Sequence, residues 1–139
     1  LASAGLGIDI VGAEPAAVPA LTEALRAGRP VAVPARPTIA DGLRPDIIGR
    51  LPFEICRTGV SRVITVDEAA IAAALCLALL HARLLVEPAA ATALAGALAL
   101  RAETDNEARD VGVLLTGGNV DPALVARLLA ERESRGGAA

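Results

Sequence analysis

Four short segments of this chain carry residues whose types could do chemistry: Glu14-Pro15, Thr38-Ile39-Ala40-Asp41-Gly42, Glu87-Pro88 and Thr116-Gly117-Gly118-Asn119. Each follows, or lies near, the end of a predicted strand, and open parallel sheets bind ligands at the carboxyl ends of their strands. Thr116 is the most suggestive. A hydroxyl directly behind a buried apolar run, followed by two glycines, puts a donor where a flat ligand can approach the backbone. The same residues also suit a plain strand-to-helix turn. Asp41 is an available acid, although Asp-Gly is itself a common turn. Glu87 is a carboxylate between two apolar runs. Buried, it needs a donor or a proton; at a helix start it would instead stabilise the helix dipole. His81 lies beside Arg83, and the chain holds no second histidine to share a metal. The charged stretches at 103–110 and 131–135 read as solvated surface.

The elements that must position these residues alternate between β-branched runs and alanine-rich stretches, the pattern of an α/β protein with a mainly parallel sheet. Ile8–Gly12 reads as a strand, and Pro19–Ala27 as a helix stopped by Gly28. Residues 29–60 hold five prolines and read mostly as an excursion, with a short strand at Val31–Val33. Val60–Val66 is the next strand. Thr65 and Glu68 have the spacing of a capping box, after which Ile71, Leu75 and Leu79 recur on one helical face. Leu84–Val86 reads as extended and residues 89–102 as a helix. Val111–Leu115, continuous and apolar, is the clearest central strand. Asp121 as N-cap and Pro122 as first helical residue open a last helix with Leu124, Val125, Leu128 and Leu129 on its inner face. The tail after Arg135 should fray. The whole reads as one structural unit.

Composition narrows the classes. The 139 residues carry 16 acids against 13 bases, and Phe53 is the only aromatic, which excludes a basic surface with stacking platforms for nucleic acid. All 13 bases are arginine, so no lysine is present for covalent chemistry. The longest apolar run, Ala69–Leu80, has twelve residues, short of the roughly 20 that a membrane span needs. Cys56 and Cys76 lack a CxxC spacing and read as free thiols in a reducing cytoplasm. A chain that opens on Leu1 and contains no Met reads as a processed piece or a segment of something larger.

Taken in order, IDIVGAEPAAVPAL, TIADGLRP, GVSRVITVDEAAI, LLVEPAAATALAGAL and VGVLLTGGNVD resemble the C-terminal portion of fold-type II pyridoxal-phosphate enzymes, in particular the serine/threonine dehydratases and serine racemases. The resemblance spans residues 8–125 without a large gap. It implies part of a large domain in which helices flank a mainly parallel sheet. Pyridoxal 5'-phosphate is the implied cofactor, and Thr116 stands where the family's serine hydrogen-bonds the ring nitrogen. Gly117 and Gly118 would let the backbone approach the ring, with Gly42 beside the cofactor, Glu87 in the pocket wall and Asp41 on the substrate side.

Glu14, with the Val18 carbonyl four residues on, matches a family pair that holds a divalent cation. Ala20 replaces the aspartate that completes the set in serine racemase, which points towards a dehydratase. The family's lysine, carboxylate-binding loop and glycine-rich phosphate loop lie upstream of the matched region. The resemblance therefore implies a companion N-terminal segment or chain bearing that lysine, and a homo-oligomer of the whole enzyme. The expected reaction is elimination on a β-hydroxy amino acid to a 2-oxo acid and ammonia. A racemase within the same family, or a non-catalytic binding or assembly remnant of the fold, is the alternative.

Overall fold

The structure is a computed structural model and describes residues 7–34, 36–103 and 110–136. Strands β1 (Val11–Pro15) and β2 (Arg62–Val66) pair in parallel, in register from Val11 opposite Arg62 to Pro15 opposite Val66. Backbone bonds extend the ladder at both ends, from Ser61 N to Ile10 O and from Ala16 N to Val66 O, each 2.8 Å. Helices α1 (Ala20–Ala27) and α2 (Arg50–Gly59) lie between the strands in sequence. Helices α3 (Glu68–Ala82), α4 (Pro88–Glu103) and α5 (Pro122–Gly136) follow β2. The expected α/β class with a parallel sheet is the one observed.

The core is built from small side chains. Ile71 and Leu75 of α3 are essentially inaccessible, and they meet Ile64 and Val66 of β2, Val86, Leu128 of α5 and the alanine face of α4. Burying one such Ile or Leu contributes roughly 1.5–3 kcal/mol. Ala90, Ala91 and Ala95 let α4 approach both α3 and the sheet. The closest point is Gly96, where an added Cβ would fall 2.6 Å from the Cβ of Ala13. Thr92, wholly buried, hydrogen-bonds the Pro88 carbonyl at 3.0 Å, so its hydroxyl costs the core nothing unsatisfied.

Several sequence expectations shift. The first strand lies at Val11–Pro15 rather than Ile8–Gly12: Ile8 is exposed, and pairing begins only where the backbone meets the segment after Val60. Val31–Val33 is not a strand, because the Val33 N–H goes to the Asp46 carbonyl. The excursion contains α2, whose Pro52 sits in the first turn, where no intrahelical donor is lost. Val111–Leu115 forms no ladder: among the described residues no strand lies beside it, and Val111 and Leu114 face solvent. Leu84 and Leu85 are likewise exposed and outside any strand. The N-cap of α3 is Asp67, which accepts from Ala70 N at 2.7 Å, while Thr65 is a strand residue. Gly28 ends α1 in the left-handed region, and Asp121 caps α5 through Ala123 N, as expected. Residues 104–109 and 137–139, with most of the acidic stretch and the end of the tail, lie outside the described residues.

Candidate functional site

Three of the segments singled out above converge at one end of α4. Glu87 occupies the N-cap position: its carbonyl accepts from Ala91 N at 3.0 Å. Its side chain turns away from the helix and accepts from Asn119 N at 3.2 Å, while its own N–H donates to the Gly117 carbonyl at 3.2 Å. Glu87 therefore has the donor that a half-buried carboxylate needs, supplied by a loop 32 residues away.

Two glycines flank this carboxylate. Gly117 adopts φ +91°, and an added Cβ there would lie 2.6 Å from both oxygens of Glu87. Gly42, in the 3₁₀ turn Asp41–Leu43, would bring a Cβ to 3.7 Å from Glu87 Oε1 and 3.2 Å from Ala89 Cβ. Gly118 faces the Leu85 carbonyl, 3.4 Å from where its Cβ would be. The result is a cradle of bare backbone around one carboxylate. Asp41 is exposed beside it, its Oδ1 held at 2.9 Å by Gly42 N, and Thr116 is exposed at the other edge. Glycine backbone, an adjacent hydroxyl and a carboxylate wall suit a flat, polar-edged ring such as a pyridine, so the residues present fit pyridoxal phosphate.

Glu14 and Val18 do a different job. Glu14, at the end of β1, is buried, and its two oxygens accept from Leu21 N (2.9 Å) and Thr22 N (2.8 Å) at the start of α1. The Val18 carbonyl accepts from Ala20 N at 2.9 Å. In this structure the carboxylate caps a helix, both oxygens accepting from N–H donors, and nothing here supports the expected cation. Among the described residues no group of three His, Cys, Asp or Glu side chains could hold a metal ion. His81 is an exposed residue in the last turn of α3.

Two residues of the motifs named above make contacts other than those expected of them. Asn119 acts through its backbone, and Glu68 reaches out of α3 to Ile39 N at 2.8 Å, so no side-chain pattern announces either contact. Cys76 is buried under α5, and loss of hydration there raises its thiol pKa against a smaller opposing effect from Arg132. Cys56 is partly exposed, and both cysteines are free. No helix among the described residues is long and apolar enough to cross a membrane.

Residues 1–117 match the family described as pyridoxal-phosphate dependent enzymes. The L-threonine ammonia-lyase of Thermotoga maritima is 30% identical over 122 residues, which cover 88% of this chain and 30% of that protein. The phenylserine dehydratase of Ralstonia pickettii is 36% identical over 122 residues, covering 87% of this chain and 37% of its own length. Maize serine racemase superposes with a TM-score of 0.77 at 31% identity, covering 92% of this chain and 40% of that structure. The chain thus spans between 30% and 40% of the length of these relatives.

Proposed function

We propose, since the chain belongs to the pyridoxal-phosphate dependent enzymes of fold type II, that it forms the ring-facing wall of a dehydratase for serine, threonine or a similar β-hydroxy amino acid. The observation that carries this reading is the meeting of Gly42, Glu87 and Gly117, which are 75 residues apart from first to last (117 − 42) and are brought together at one end of α4.

Bound in that cradle, pyridoxal phosphate supplies the electron sink that makes an amino acid's α-proton removable. Thr116 would offer the ring nitrogen a neutral hydroxyl, which suits the mild electron sink that elimination needs. Gly42 and Gly117 leave room for the Glu87 carboxylate in that wall. Glu87, anchored by Asn119 N, closes the wall. Asp41, its Oδ1 accepting from Gly42 N, stands on the substrate side, where it would accept a hydrogen bond from the β-hydroxyl and orient it. In the overall reaction the α C–H and β C–O bonds break and water departs. The enamine so formed takes up a proton at carbon and is hydrolysed, which releases ammonia and the 2-oxo acid.

The α-proton needs a lysine base, and this chain has none, so a companion segment or chain bearing that lysine completes the site. The exposed apolar residues Leu84, Leu85, Val111 and Leu114 supply surface for it, with the 111–115 segment outside any sheet among the described residues. The whole enzyme would assemble as a homo-oligomer, and its two free cysteines suit a reducing cytoplasm. Ala20 favours dehydration over racemisation, whereas the likeness to maize serine racemase supports a racemase as the second reading.

The test is to co-express the chain with a companion carrying a Ser-x-Lys segment and a glycine-rich loop, load pyridoxal phosphate, and supply L-threonine or L-serine. The 2-oxo acid should appear, and borohydride should fix the cofactor to the companion and leave the body of this chain unlabelled. A D-amino acid as the product would establish the racemase. Failure of every companion to confer cofactor binding would leave a non-catalytic module.

A further inference from the structure

Glu68 lies in the first turn of α3, yet it does not serve that helix. Asp67 already caps α3 through Ala70 N. The Glu68 carboxylate instead reaches across to a segment 29 residues earlier and accepts from Ile39 N through Oε2 at 2.8 Å. Ile39 stands between Thr38 and Ala40, both buried, with Thr38 Oγ1 accepting from Ala40 N at 3.1 Å. The next residues are the Asp41–Leu43 turn, which presents Gly42 to Glu87.

Two observations give this contact a purpose. First, Ile39 and Glu68 both border a cavity of about 530 Å³ between α3 and α5, whose wall also includes Cys76, Leu128 and Arg132. Ile39 packs on the core from one side, but on the other it is bordered by open space, so packing fixes the segment from one side only. Second, Glu68 Oε1 is buried with no hydrogen-bond partner. A position chosen for packing alone would be filled at lower cost by an apolar residue.

We propose that Glu68 is a positioning residue, whose charge-assisted bond to Ile39 N sets where the Gly42 turn stands against Glu87 and the Gly117 loop. As a role in cofactor binding this rests on the reading above; as a statement about the loop it does not.

The test uses the full chain, labelled with ¹⁵N, without cofactor. Amide exchange is followed at Ile39, Ile71 and Leu75, and amide shifts at Gly42 and Asn119. Glu68→Ala should cut protection at Ile39 about tenfold or more relative to Ile71 and Leu75, and should move the Gly42 and Asn119 resonances. Glu68→Gln, which keeps an accepting oxygen, should restore most of the protection. Glu68→Asp, too short to reach, should behave like Glu68→Ala and stands in for it if that variant does not fold. Asp67→Ala is the control for a merely structural role, lowering protection at all three amides together. The proposal is overturned if Ile39 follows the core amides in Glu68→Ala or Glu68→Asp as it does in the control, or if Gly42 and Asn119 do not move. Failure of the wild type to bind pyridoxal phosphate with any companion would sink the function proposed above and leave the loop result standing.

Discussion

The carboxylate of Glu87 stands in the space that a side chain at residue 117 would need. Both oxygens lie 2.6 Å from an ideal Cβ on Gly117, and the two residues are also joined by a backbone bond from Glu87 N to the Gly117 carbonyl. Gly117 is thus required twice over, by its φ of +91° and by its neighbour. The Gly117→Ala variant should displace Glu87 from Asn119 N and weaken cofactor retention at least about tenfold, roughly 1.4 kcal/mol. Adding Glu87→Ala relieves the overlap but leaves the strained dihedral, so the double variant should recover only part. Titration followed by cofactor fluorescence measures both.

Glu14 offers a second test, because capping and metal binding predict different responses. Glu14→Ala removes two charged hydrogen bonds from the start of α1 and should cost about 2 kcal/mol, with Glu14→Gln losing about half of that. Thermal melts with EDTA and with millimolar magnesium should coincide for the wild type. A melting point that rises with magnesium and falls back with EDTA would mean that the carboxylate opens to a cation.

Gly96 sets the spacing between α4 and β1. Alanine is the better helix former by about 1 kcal/mol. Here its Cβ would meet the Ala13 Cβ at 2.6 Å, and neither atom can rotate away. Gly96→Ala should therefore destabilise by a net of about 1 kcal/mol or more, overpacking outweighing propensity. Ala13→Gly placed on that background should restore stability relative to Gly96→Ala alone, a coupling that urea denaturation of the single and double variants would read directly.

The buried thiol of Cys76 makes stability pH-dependent on the alkaline side. Its pKa is raised above the ordinary 9.0, chiefly by loss of hydration, with Arg132 opposing. An acid with a raised folded pKa contributes fully below its unfolded value. That stability fades as pH climbs from about 9.0 through the folded pKa, because the unfolded chain ionises first. Cys76→Ala should flatten this slope although it lowers stability throughout. In the native chain at pH 8, iodoacetamide should modify Cys56 well before Cys76, as mass spectrometry of the peptides would show.

Much of this was legible along the chain. Period-four apolar spacing located α3, Gly28 ended α1, and Asp121-Pro122 opened α5, because those signals act within a turn or two of backbone. The segments that meet at Glu87 could be ordered by resemblance, but the contact between Gly42 and Glu87 is tertiary and leaves no local trace. Helix α2 escaped notice because Pro52 and a proline-rich approach mimic an irregular loop. The segment 111–115 misled for the opposite reason. Its residues have strand character, but a strand exists only beside another, and no other strand lies beside it among the described residues. Glu68 had the spacing of a capping-box acid and a side chain long enough to do something else.

The parallel register of β1 and β2 also governs how this chain assembles in time. Ile10 and Ser61, bonded at the edge of the ladder, are 51 residues apart, whereas α3 and α4 are joined through residues 83–87 alone. A long loop must close before the strands gain anything from pairing, so the helical pair has the shorter search. Ile71 and Leu75 are therefore expected to gain protection ahead of Ile64 in pulse-labelled refolding. The cradle draws on residues 42, 87 and 117 and needs a long closure of its own, beyond the pairing of α3 with α4. For a newly made chain, the capacity to hold a ligand would be a late property, and a slow one.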